Sequence, residues 1–235
     1  MSRNLYVKDD KYIKKGLDVN GILEAKNISF ILNNTSIPVP RVVNYGIDSV
    51  TGESYIEMEF VQGKPLKDRL FDMTSEAIDK ISLQLNHILS QLRSISANYI
   101  GSIDPEIYAI DDPIITINSS IANIDDFNKV LLNNVSSSMC MFSHFFREML
   151  FQRTHYKFLL THGDLLPRNI IVDDNYNIKC ILDWEVMGFY PEYWEFVKMA
   201  QCSWKSPWWK ILSKLNIKYY QELSIFQLYV QSIIG

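Results

Sequence analysis

Two short apolar runs constrain this chain more than any other feature. Ile170–Val172 and Ile178–Leu182 flank Asp173-Asp174-Asn175, residue types that reverse a strand. A hairpin there returns the chain to the point where it set out. It sets out from THGDLLPRNI (Thr161–Ile170) and comes back carrying ILDWE (Ile181–Glu185). Asp183 is therefore expected close to Asn169 and Asp164, with two carboxylates and one carboxamide at one end of a small sheet. His162, in an apolar context, reads as a brace for the loop backbone.

Each of these polar residues alone could be a turn former or a cap. Together they make a more specific pattern, because loops held by rigid strands often carry chemistry. Oxygen ligands of this kind suit magnesium, which takes a few protein oxygens and keeps places for phosphate and water. Asn169 and Asp183 are the candidate metal ligands. Asp164 is left to orient a substrate hydroxyl and to accept its proton during phosphoryl transfer.

The rest of the chain reads as two regions. Leu5–Val7 and Lys11–Lys15 form short strands across an Asp9-Asp10 turn, and a helix follows from about Asp18 to Leu32 with Asp18 as its cap. Ile37–Gly46 is extended, with prolines limiting its pairing, and Ser54–Val61 is strand-like. Gln62-Gly63-Lys64-Pro65 breaks the pattern as a linker. Beyond it, Ile78, Ile81, Leu85, Ile88, Leu92 and Ile95 recur at helical steps. Asn98–Phe127 is polar and irregular, Phe142–Phe158 is helical, and the chain is helical again from Pro191. The division expected is a strand-rich region over residues 1–61 and a helical region over 62–235.

Composition narrows the function classes. With 235 residues, 47% hydrophobic and 21% charged, the chain is ordinary globular material. A net charge of -4 without a basic stripe argues against nucleic acid as partner. No apolar run reaches transmembrane length, and MSRNLYVKDDKYIKK lacks a signal-peptide core, so neither membrane association nor secretion is expected. The three cysteines, Cys140, Cys180 and Cys202, form no CxxC and no even framework. A reduced cytoplasmic protein is the expectation.

These segments together resemble the aminoglycoside phosphotransferase / choline kinase-type family, relatives of protein kinases. THGDLLPRNI and ILDWE are similar to its catalytic and metal-binding segments. GFYPEYWEF (Gly188–Phe196) resembles fungal-type members, as do Leu23–Ala25, IPVPRV (Ile37–Val42), MEFVQGKPL (Met58–Leu66) and Ile100–Ser102. The resemblance implies an α+β, protein-kinase-like two-lobed fold with a reduced strand-rich N-lobe and a larger helical C-lobe. It also implies transfer of the γ-phosphate of ATP, with Mg2+, to the hydroxyl of a small-molecule acceptor. Asp164 matches the catalytic base, Asn169 a magnesium ligand, and Asp183 the metal-binding aspartate.

Such a site needs a cation on the nucleotide phosphates, held by an acid. Lys14 and Lys15 are neighbours on a strand, so only one can face inward; the resemblance selects Lys14. Glu24 shares a helical stripe with Ile28 and Ile31. Periodicity leaves it either inward or half-exposed, and the family pattern makes it the partner of Lys14. MEFVQG matches the inter-lobe hinge, where the Glu59 carbonyl and the Val61 amide would meet adenine. The polar stretch Tyr108–Asp126 and an aromatic tail (Trp194, Trp204, Trp208, Trp209, Tyr219, Tyr220) flank the expected acceptor side. They would suit an amine or quaternary ammonium, but the reading favoured is that they build the helical core.

One departure from the family keeps a second reading open. Only thirteen residues precede Lys14, and none is glycine, so a glycine-containing phosphate loop is expected to be missing. The alternative is a catalytically weak or inactive relative that binds a nucleotide or another ligand. A protein kinase is excluded on local grounds: HGD stands for HRD, DWE for DFG, and no APE follows.

Overall fold

The computed structural model describes residues 4–16, 20–104, 109–112, 114–133, 146–152, 155–201 and 207–234. In chain order its strands and helices begin with β1 (Asn4–Lys8), β2 (Lys11–Gly16), α1 (Gly21–Asn34), β3 (Val42–Ile47), β4 (Ser54–Glu59), β5 (Lys64–Pro65) and α2 (Ser75–Arg93). Then come β6 (Ser96–Ala97), β7 (Ile110–Asp111), β8 (Thr116–Ile117), α3 (Ile124–Asn133), β9 (Phe158–Thr161), β10 (Ile170–Val172) and β11 (Ile178–Ile181). The last are β12 (Gly188–Pro191), α4 (Trp194–Ala200), α5 (Trp208–Leu212) and α6 (Tyr220–Ile234). Two compact units share these elements: residues 1–91 with 165–185, and residues 92–164 with 186–235.

The first unit is organised by an antiparallel sheet in the order β1-β2-β4-β3. β2 pairs with β4 so that Lys14 lies opposite Ile56 and Lys15 opposite Tyr55. Strand alternation then separates the two lysines. Lys14 is buried, whereas Lys15 turns to Asp48 at 2.7 Å and Glu53 at 3.4 Å near the surface.

Helix α1 packs on this sheet through Leu23, Ile28 and Ile31. Its cap is Asn20, whose side chain accepts from the Leu23 amide at 3.0 Å. Asn caps as well as Asp does, and the expected cap, Asp18, lies outside the described residues.

The expected hairpin is present. β10 and β11 pair with Ile170 opposite Ile181 and Ile171 opposite Cys180. The Asp173 carboxylate closes the turn by accepting from the Asn175 and Asn177 amides at 2.9 and 2.8 Å.

Gln62–Pro65, read above as a linker, is only partly one. Lys64 and Pro65 form β5, a third strand against β10. Proline is tolerated on such an edge because it need not donate to a neighbour. The preceding Gly63 has φ +151°, and a Cβ there would lie 2.6 Å from Ile171 Cγ2 and 2.7 Å from the Val172 carbonyl.

The second unit holds a sheet in the order β12-β9-β6. GFYP therefore pairs as a strand with β9 before α4 begins. Its core is aromatic. Trp194 meets Phe127 and Phe226 edge-on, both with centroids 5.3 Å away, and stacks with Tyr190 at 5.7 Å. Trp194 and Trp208 of the aromatic tail are buried core; Trp204 lies outside the described residues.

The region Asn98–Phe127 is more regular than its composition implies. It contains β7, β8 and the start of α3, with the Asn123 side chain accepting from the Asp126 amide at 2.9 Å as a cap. Of the expected Phe142–Phe158 helix, residues 146–150 are helical; 142–145 lie outside the described residues, as do Cys140 and Cys202.

Gly63→Ala should cost on the order of 2–4 kcal/mol, from an unfavourable φ together with overlap against β10. Gly52, at φ +70° with nothing within 4 Å of a new Cβ, should lose roughly 1 kcal/mol as Ala. Urea unfolding of the two variants checks the difference.

Candidate active site

In the first unit, four charged side chains converge. The Lys14 ammonium lies 3.1 Å from Glu24 Oε2, 2.7 Å from Asp183 Oδ1 and 2.8 Å from Glu185 Oε2. Strand β2 delivers the lysine, α1 delivers Glu24 from the stripe that carries Ile28 and Ile31, and the segment after β11 delivers the other two. Glu24 is 1% exposed and Lys14 5%.

The DWE segment is held from several sides. Trp184 is fully buried, and its indole N–H donates to the Ile181 carbonyl at 2.9 Å. The Asn27 side-chain amide donates to the Trp184 carbonyl at 2.7 Å. Between these anchors Asp183 adopts φ +68°, a left-handed conformation that Asp tolerates better than most residues. That turn aims its carboxylate at Lys14.

Asn169 is buried at the end of the 3-10 turn Pro167–Asn169, where Pro167 sets the first φ. The Asn169 carbonyl accepts from the Leu182 amide at 2.8 Å. One backbone hydrogen bond thus ties Asn169 to the residue before Asp183.

Three carboxylates around one ammonium leave an excess of negative charge. At Lys14, burial opposes the charged form, but Glu24, Asp183 and Glu185 outweigh it and raise the pKa well above the usual lysine value. At Glu24 burial dominates and pushes the carboxyl up to about 7, against the pull of Lys14. Glu24, Asp183 and Glu185 each present an oxygen within 4.8 Å of the others. These are oxygen donors of the kind a divalent cation takes.

In the second unit, β9 ends at Thr161 and leads into His162-Gly163-Asp164. All three amides of that triplet have acceptors. His162 N–H donates to Glu195 Oε2 at 2.6 Å, and the Gly163 amide also bonds the Glu195 carboxylate. The Asp164 amide donates to His162 Nδ1 at 3.1 Å, so Nδ1 is unprotonated. Gly163 has φ +81°, and a Cβ there would meet the Val186 carbonyl at 3.1 Å. The backbone of Asp164 is fixed, and its side chain is part-exposed.

Lys14, Glu24 and Asp183 are thus in direct contact, and Asn169 is tied to them through Leu182. Asp164 belongs to the other unit. Glu59 and Val61 lie at and beyond the end of β4, and the Glu59 carboxylate makes an exposed pair with Arg41 at 3.0 Å. Three residues escaped sequence reasoning. Glu185 is the second acid in DWE, Asn27 lies one turn after Glu24, and Glu195 is an acid inside the apolar run WEFVKMA. Glu195 carried a usable signal, since a charge in a fully buried helix needs partners.

Residues 19–223 match the model of the phosphotransferase enzyme family. The chain belongs to that family. Its fold is the α+β, protein-kinase-like fold of aminoglycoside phosphotransferases, with a strand-rich N-terminal sheet and a helical C-terminal part. It is similar to aminoglycoside 2'-phosphotransferase-IIIa in its GDP complex, with TM-score 0.69 and 14% identity over 98% of this chain and 80% of that one. It is also similar to a thermostable mutant of aminoglycoside phosphotransferase APH(4)-Ia in a ternary complex with ADP and hygromycin B, with TM-score 0.63, 12% identity, and 100% of this chain and 88% of that one covered. APH(3'')-Id from Streptomyces rimosus gives TM-score 0.60 and 14% identity, with 95% and 86% covered. No curated protein sequence matches the chain. Among the described residues no helix is long and apolar enough to cross a membrane.

The charge cluster makes stability depend on pH. A carboxyl raised to about 7 by burial binds its proton more tightly folded than unfolded. Its stabilising contribution is complete below the unfolded value of 4.5 and is lost as pH rises through about 7. Glu195, also raised to about 7 by burial, acts in the same direction. The ligand-free protein should melt at a lower temperature at pH 8 than at pH 5.5, and Glu24→Gln should reduce that difference. Thermal melts across the range measure both.

Proposed function

We propose that this family member transfers the γ-phosphate of ATP to a hydroxyl of a small-molecule acceptor, with Mg2+. The observation that carries this reading is the Lys14 ammonium held among Glu24, Asp183 and Glu185 at 2.7–3.1 Å. A fixed positive charge of this kind is what nucleotide phosphates need, which supports the reading. In our reading Lys14 meets the nucleotide phosphates and Glu24 keeps it aimed. Asn169 and Asp183 would hold the magnesium ion, which would neutralise charge on the phosphates when bound.

Asp164 is the proposed base. Its carboxylate would orient the acceptor hydroxyl and accept its proton as the new O–P bond forms and the bond from the γ-phosphorus to the departing ADP breaks. Four residues of chain, Leu165–Arg168, join it to Asn169, so one short loop would serve acceptor and nucleotide together. The backbone carbonyl of Glu59 and the amide of Val61 are proposed to take the adenine edge. On this reading residues 1–61 form the nucleotide-side lobe and 62–235 the lobe that carries the loop. We assign the chain to the fungal-type branch on the GFYPEYWEF segment, and we place the reaction in the cytoplasm, where ATP is supplied. The neighbour APH(4)-Ia holds ADP and hygromycin B, and for this chain the acceptor is proposed only as a hydroxyl compound.

Asp164→Asn should leave fold and nucleotide affinity nearly intact while lowering turnover on the order of 10²-fold or more. ADP release and nucleotide affinity, measured side by side across a panel of alcohols and amino-alcohols, test this. Undiminished turnover in the variant would remove Asp164 as the base. Nucleotide binding by the wild type with no acceptor turned over would favour the inactive-relative reading.

A further inference from the structure

Helix α4 buries charge that the proposed chemistry does not use. Lys198 is 4% exposed, and its ammonium lies 2.6 Å from Asp112, itself 3% exposed, in the connection between β7 and β8. Asp112 is fixed in turn: its carboxylate accepts from the Ile114 amide at 2.8 Å, and its backbone bonds Ile115 in both directions at 3.1 Å. One helical turn before Lys198 on the same face is Glu195, the acceptor for the His162 and Gly163 amides. The second Glu195 oxygen is buried and has no hydrogen-bond partner among the described residues.

A buried carboxyl that accepts two amides holds them more tightly when ionised, and a nearby cation offsets the cost of burying that charge. Burial pushes the Glu195 carboxyl up to about 7; the His162 and Gly163 amides, and then Lys198 one helical turn away, pull the other way and favour its ionised form. Asp112 holds that cation at a fixed position by a short ion pair from outside the helix. The path therefore runs from the β7–β8 connection to Lys198 through an ion pair, across one helical turn to Glu195, and by hydrogen bond to the backbone that carries Asp164.

We propose that Lys198, clamped by Asp112, is a positioning residue for the His162-Gly163-Asp164 loop: its charge keeps Glu195 gripping the two loop amides, and so fixes Asp164 for catalysis. The catalytic part of this inference rests on the phosphotransferase reading above. The grip on the loop does not.

The test avoids stranding a buried charge. Asp112→Leu/Lys198→Met replaces the ion pair by apolar groups of similar reach, a change that is often neutral for stability. Hydrogen exchange of the ligand-free protein is followed by mass spectrometry over the segment containing His162 and Gly163. Thermal stability and acceptor kinetics accompany it.

We expect a melting temperature close to wild type and exchange at that segment at least tenfold faster, with other core segments unchanged. Turnover should fall roughly 10- to 100-fold at unchanged acceptor KM. Lys198→Arg, which keeps the charge, should restore much of the protection.

Wild-type protection of the segment in a folded double variant would overturn the proposal. So would exchange that rises evenly through the unit, which is what a merely structural pair predicts. If the wild type turns over no acceptor, the phosphotransferase reading fails, and the exchange result alone decides the role of Lys198.

Discussion

A buried ammonium shared by three carboxylates is the interaction on which the first unit depends. Lys14 has lost nearly all contact with water, and an ion of that size taken out of water costs several kcal/mol before its partners repay it. Repayment comes from Glu24 on a helix and from Asp183 and Glu185 beyond a hairpin 169 and 171 positions further along the chain. The sheet, α1 and the DWE segment must all be in place for the charge to be tolerated. Removing Lys14 would leave the acids crowded, and removing the acids would leave the ammonium bare.

The same arrangement is a poor device for stability and a good one for binding. An apolar substitute would hold the elements together at less cost. On the proposed reading the retained excess of negative charge would receive a cation, and the fixed ammonium an anion. A metal-bound nucleotide phosphate is both. Burial adds a second property, since Glu24 titrates near neutrality and the charge of the cluster responds to what binds. In the second unit Glu195 repeats the theme: a buried acid made tolerable by two backbone amides and a nearby lysine.

Much of this was legible from residue patterns, for identifiable reasons. The β10–β11 hairpin follows from two β-rich apolar runs around Asp and Asn. The split fates of Lys14 and Lys15 follow from strand alternation, and the helical stripe left Glu24 inward or half-exposed until the family pattern chose the inward reading. The first two are local rules. What escaped was either non-local or disguised by composition. Lys64-Pro65 looks like a break until β10 offers it an edge, and α3 begins inside a stretch rich in Asp and Ser that looks unstructured. The second acid of DWE, the anchoring of Trp184 by Asn27, and the grip of Glu195 on His162 depend on pairings between distant segments, which no window of sequence displays. The Asp112–Lys198 pair spans 86 positions and is invisible for the same reason.

The central claim is that the Lys14 cluster with Asn169 forms a seat for a magnesium-bound nucleotide. Calorimetric titration of ATP into the wild type and into Asp183→Ala, each with and without magnesium, tests it most directly. The account predicts that magnesium tightens ATP binding to the wild type by about tenfold or more, a coupling of about 1.4 kcal/mol, and that Asp183→Ala abolishes most of that gain. Equal ATP affinity of the wild type with and without magnesium would contradict it.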